Sequence, residues 1–142
     1  MSFEIVDSRV SACIAGFAAS VLLFGCATTP LEQAPLGPPG DAVRGREVFV
    51  SREGGHCVLC HHVPGEAAAG DVGPALDGIG ARLSTDAIRF RIVDITRLNP
   101  EAVMPAFHRT EGLERVAPAY AGRPVLDARQ VEDLVAYLGS LR

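Results

Sequence analysis

The chain of 142 residues has no Trp, no Lys and only two Met, and aromatic residues make up 6% of it. That excludes a core built from stacked rings, so something else has to fill the middle of the fold. Basic residues are all Arg, 13 against 17 acidic ones, for a formal charge of −4. A chain with this balance lacks the basic footprint of a nucleic-acid binder. Hydrophobic residues at 48% and charged residues at 21% exclude a disordered or collagen-like polymer. The length suits one small domain. No internal repeat and no strand-like alternation is visible. The chain does have four Cys, at positions 13, 26, 57 and 60.

The first two Cys lie in a stretch that reads as export rather than fold. No charged residue falls between Val10 and Leu31. Val10 to Gly25 is rich in Ala, Val, Leu and Phe, as in the apolar region of a secretory signal. Leu23-Phe24-Gly25-Cys26 closes it and resembles a lipobox, in which a small residue precedes a Cys that is lipidated and begins the mature protein. Three readings stand. Residues 1–25 are a lipoprotein signal with lipid on Cys26, or the signal is cut after Ala27, or the stretch is an uncleaved membrane anchor. Each exports the rest of the chain, which makes the bacterial periplasm the expected location. Pro30, Pro35, Pro38 and Pro39, with Gly37 and Gly40, then give residues 26–40 the composition of an extended tether. At about 3.1 Å per residue it spans roughly 40 Å. The folded unit is expected over residues 41–142.

Within that unit three helices are predicted. Asp41 caps one running to about Glu53, ended by Gly54 and Gly55. Ser84 or Asp86 starts a second, whose Ile88, Ile92 and Ile95 form one apolar stripe, stopped at Asn99-Pro100. Asp127 and Gln130 have capping-box spacing for a third, with Leu126 stapled onto Val131. Val131, Leu134, Val135, Leu138 and Leu141 follow its period. The connections are long: His62 to Leu83 holds five Gly, and Asn99 to Leu126 holds four Pro. Loops of this length argue against a compact domain unless they wrap a large apolar ligand.

Cys57-Val58-Leu59-Cys60-His61 names that ligand. Two thiols three residues apart reach the two vinyl groups of haem, and the next residue points its imidazole at the iron; this is the c-type haem attachment pattern. Export matches it, because c-type haem is attached outside the cytoplasm. A redox disulfide would want a thioredoxin-like context, which is missing. A zinc site would need two more ligands from His56, His61, His62 or His108, with no second Cys pair. The sixth iron ligand follows by elimination. Met104 is the only Met after Met1 and lies in a loop bounded by Pro100 and Pro105; its thioether is a suitable axial ligand. His108 is the main rival, ahead of His62 and His56.

The order of helix, Cys57-x-x-Cys60-His61, long loop, helix, Met104-Pro105 and C-terminal helix resembles class I cytochrome c. The resemblance implies an all-α fold wrapped around one covalent haem c. Gly73-Pro74-Ala75-Leu76 looks like the family turn in which the Pro carbonyl accepts a hydrogen bond from the proximal imidazole, here Pro74 and His61. Gly45, Phe49 and Tyr137 resemble the family's crossing of terminal helices. The stretches Arg91–Asp94, Asn99–His108, Thr110–Leu113, Arg115–Pro118 and Gln130–Leu138 are similar to the X-subunit (SoxX) family of the sulfur-oxidising Sox cytochromes. That resemblance implies a partner, the A-subunit cytochrome, which carries the cysteine to which thiosulfate is coupled. It also implies a downstream cytochrome that accepts the electrons, and no independent catalysis by this chain. The rival readings are a free-standing periplasmic carrier and a haem enzyme or sensor with an open iron site, the latter requiring Met104 to be a bystander.

Overall fold

The computed structural model describes residues 31–67 and 70–142; the export stretch and Cys26 lie outside them. Four α-helices form: α1 (Ala42–Val50), α2 (Ile79–Arg82), α3 (Thr85–Asp94) and α4 (Ala128–Ser140). Single 3-10 turns lie at Cys57–Leu59, Ile95–Arg97 and Pro118–Tyr120. No strand occurs among the described residues.

Capping chemistry places the helix starts. Asp41 accepts hydrogen bonds from the N–H groups of Val43 and Arg44. Ser84 accepts from Ala87. Asp127 and Gln130 make the reciprocal capping box at α4, which satisfies two otherwise orphaned donors. The ends differ from expectation. Helix α1 stops at Val50, three residues short of Glu53, because Ser51 turns extended and the chain doubles back with Gly55 N–H bonded to the Val48 carbonyl. Helix α3 stops at Asp94, before Asn99-Pro100. There the Asp94 carboxylate takes the Thr96 N–H, and the chain tightens into a 3-10 turn. The short helix α2 was absent from the sequence reading. Its Gly80 N–H caps the Leu141 carbonyl beyond the end of α4.

Helix α4 is the frame. Helix α1 crosses it with Gly45 at the contact, where a Cβ would stand 1.9 Å from the Asp133 carbonyl oxygen. Phe49 and Tyr137 meet edge to face beside it, ring centres 5.6 Å apart. Val63, Ile79, Ile88, Ile92, Phe107, Leu126, Val131, Leu134, Val135 and Leu138 complete the core. Leu126 and Val131 are fully buried, as a staple requires.

The Pro-rich segment 31–40 corrects the expected boundary. It does not hang free up to Asp41; from Gln33 it is strapped to α3 and α4. Gln33 N–H donates to the Asp86 carbonyl, Arg89 Nη1 to the Gln33 carbonyl, and Leu36 N–H to Glu132 Oε1. Asp41 N–H donates to Asp133 Oδ1. Beneath the strap, Arg89 and Glu132 pair fork to fork at 2.7 and 2.9 Å, both almost completely buried. A buried ion pair persists only when its remaining hydrogen-bonding capacity is met, and the strap's main chain meets it. Pro and Gly made the segment look like a linker because its tethering groups are backbone atoms, which composition does not reveal.

Asp133 is the second buried charge on α4, held by Arg44 through two bonds of 2.9 Å. The Arg44 guanidinium holds its carboxyl below the usual carboxylate range, against the opposing effect of burial. A carboxyl lowered in the folded state stabilises the fold above its unfolded value of about 3.9, and that contribution is lost as pH falls through the lower folded value. Thermal midpoints followed by circular dichroism should therefore fall as pH drops below about 4, and Asp133→Asn should flatten that acid slope. An acid slope identical in the two proteins would show that Asp133 contributes nothing to it.

Candidate haem-binding site

The site begins where α1 ends. Gly54 and Gly55 turn the chain, and His56 enters the left-handed region at φ 46°, which costs a non-glycine residue about 1–2 kcal/mol. That turn feeds the 3-10 segment Cys57–Leu59. Cys60 N–H and His61 N–H both donate to the Cys57 carbonyl. Both thiols are free, Cys57 half-buried and Cys60 exposed. Burial pushes the Cys57 thiol up to about 12. Among the described residues no group of three His, Cys, Asp or Glu side chains is placed to hold a metal ion, which removes support for the zinc reading.

Residues 70–76 fold back onto this loop. Gly70 N–H donates to the Val58 carbonyl, Gly73 N–H to the Cys60 carbonyl and Leu76 N–H to the His62 carbonyl. Glycine is needed at two of these positions. A Cβ on Gly70 would lie 1.9 Å from the Leu59 oxygen, and one on Gly73 would lie 2.5 Å from the His61 ring. The imidazole thus rests directly on the Gly73 backbone. Its Nδ1 lies 2.8 Å from the Pro74 carbonyl oxygen. A carbonyl only accepts, so Nδ1 carries the proton and Nε2 keeps the lone pair. The loop therefore presents one Lewis-basic nitrogen of fixed tautomer, held by a backbone partner as metal-binding imidazoles are.

Met104 is half-buried and packs against the core cluster, as do Cys57, Val58, Leu76, Leu83 and Val93. Met104 and Cys57, 47 positions apart in sequence (104 − 57), thus both border the one core cluster. Two of the other histidines make polar contacts through Nδ1. His62 Nδ1 is 3.0 Å from Asp77 on the surface. His108 Nδ1 is 2.7 Å from the Leu126 carbonyl. Two thiols spaced for two vinyl groups, an imidazole with Nε2 free and a neutral thioether form a donor set that fits haem. Sequence reading missed Gly70, the seat that Gly73 makes for the ring, the Arg89–Glu132 pair and the His108 contact. Of these, only the glycine-rich spacing of the loop was a visible signal; Glu132 and Asp133 look like ordinary solvated helix residues.

Comparison with known proteins agrees with this geometry. The cytochrome c family model matches residues 42–142. The chain is also similar to a chain of the crystal structure of SoxXA from P. pantotrophus, with 31% identity and a TM-score of 0.69, over 77% of this chain and 88% of that one. No curated protein matches the chain.

The seat under the imidazole can be tested directly. Gly73→Ala should displace the His61 ring and break its bond to Pro74. The Nδ1–H resonance of His61 should then shift and exchange with water faster than in the parent protein. An unchanged ring signal would mean that Gly73 does not seat the imidazole.

Proposed function

Because the chain belongs to the cytochrome c family, whose members carry covalent haem c and transfer electrons, we propose that it is the X-type subunit of a thiosulfate-oxidising cytochrome complex. The observation that carries this reading is the likeness to SoxXA across 88% of that chain. The Met-loop stretch Asn99–His108 supports it. Haem, when bound, supplies a one-electron ferric/ferrous couple. Cys57 and Cys60 would hold it through thioethers, and His61 Nε2 and Met104 Sδ would ligate its iron. With those two ligands the protein's part would be to orient and tune the haem rather than to bind substrate at iron. The Pro74 carbonyl raises the basicity of the His61 ring. The neutral Met104 thioether favours the ferrous state relative to a second imidazole, the direction required of an electron acceptor.

The partner in this reading is an A-subunit cytochrome, and the electrons pass on to a further cytochrome. The folded domain has no Cys besides 57 and 60, so it has none to carry sulfur once those two hold haem. Thiosulfate should leave the haem of the purified protein oxidised, and should reduce it when the partner cytochrome is added. Reduction or turnover by the purified chain alone would overturn the proposal.

We further propose a periplasmic location with lipid on Cys26. Among the described residues no helix is long and apolar enough to cross a membrane. Two or more acyl chains are needed for stable attachment. Mass spectrometry of the mature N-terminus should find an acylated Cys26. A chain beginning at Thr28, or one that keeps Met1, would contradict it.

A further inference from the structure

The Met104 loop is held at its two ends and not between them. Upstream, Asn99 N–H donates to the Ile95 carbonyl, Glu101 N–H to Asn99 Oδ1 and Ala102 N–H to the Asn99 carbonyl. Downstream, Phe107 N–H donates to the Ile92 carbonyl and His108 N–H to the Val93 carbonyl. Both acceptors lie in the last turn of α3, whose carbonyls have no helical partner. From 103 to 106 the main chain makes no hydrogen bond to the described residues. Met104 therefore sits on a four-residue bridge, and its position is set by the two anchors.

The downstream anchor has a side-chain bolt. Leu126, fully buried, gives its N–H to the Phe107 carbonyl at 2.9 Å and receives the His108 ring on its own carbonyl at 2.7 Å. Both main-chain groups of Leu126 are thus taken by residues 107 and 108. Leu126 immediately precedes the Asp127 cap of α4. The ring of His108 therefore ties the Met104 loop to the frame helix. Arg109 adds a tie on the other side, from Nη1 to Asp94 Oδ2 and Thr96 Oγ1.

We infer that His108 is a positioning residue for Met104. In this role its ring fixes the end of the bridge and, with it, the position of the Met104 sulfur. This inference rests on the proposed assignment of Met104 as the axial ligand. The contribution is large enough to measure: the bond is partly buried, and a hydrogen bond of this kind is worth up to about a factor of ten in an equilibrium.

The test uses the full-length holoprotein and three variants. His108→Leu keeps bulk and removes the donor. His108→Asn places an amide N–H where the ring N–H was. Met104→Ala checks the ligand itself. The readouts are the near-red sulfur-to-iron charge-transfer absorption of the ferric form and carbon monoxide binding to the ferrous form. His108→Leu should weaken the absorption and bind carbon monoxide about tenfold more tightly than the parent, with helix content unchanged. His108→Asn should behave as the parent does. A His108→Leu protein that keeps the full absorption and still excludes carbon monoxide would overturn the inference. So would one that loses its helix content, because His108 would then serve the fold as a whole. A Met104→Ala protein that keeps the absorption would instead refute the ligand assignment, so the two failures are distinguishable.

Discussion

The site depends on where one imidazole carries its proton. Pro74 offers a carbonyl 2.8 Å from His61 Nδ1. That contact sets the tautomer and the tautomer frees Nε2, which is what lets an imidazole serve as a metal ligand. The contact holds only because residues 70–76 lie against the Cys57–His62 loop, fastened by three main-chain bonds. It also needs two glycines, since any Cβ at 70 or 73 would collide with the loop or the ring. The haem motif is thus a five-residue signature supported by a second segment that the signature does not contain.

Helix α4 gives the second layer of order. Its apolar face carries the core, and its two buried acids gather the rest of the chain. Glu132 takes Arg89 of α3 and the strap at Leu36. Asp133 takes Arg44 of α1 and the backbone at Asp41. Its preceding residue, Leu126, receives the Met104 loop through Phe107 and His108. One helix therefore organises the N-terminal strap, both long helices that flank it and the distal loop. A domain with few aromatics and no Trp has little apolar area to spend on several separate cores. Cys57, Leu76 and Met104 border this core and are only partly buried.

The features legible in the sequence were those written in local chemistry. Asp41, Ser84 and the Asp127–Gln130 box announced three helix starts, because a cap acts within four residues. The Cys57–His61 pattern announced haem for the same reason. Features made by distant backbone groups were not legible. Pro and Gly at 35–40 read as a linker, yet the strap is fixed by its own N–H and C=O groups. Nothing local marks Glu132 and Asp133 as buried, because their partners lie some 40 and 90 residues away in the sequence. His108 looked like a rival ligand because its position four residues beyond Met104 says nothing about Leu126.

In the proposed site Cys57 and Cys60 fasten a single haem, with His61 and Met104 as its iron ligands. The most direct measurement is acid–organic extraction of the purified protein, followed by peptide mass mapping and a pyridine haemochrome spectrum. One haem per chain should resist extraction and map to the peptide containing Cys57 and Cys60, with the spectrum of two saturated thioether links. Haem that is extracted freely, or that maps to any other peptide, would contradict the account.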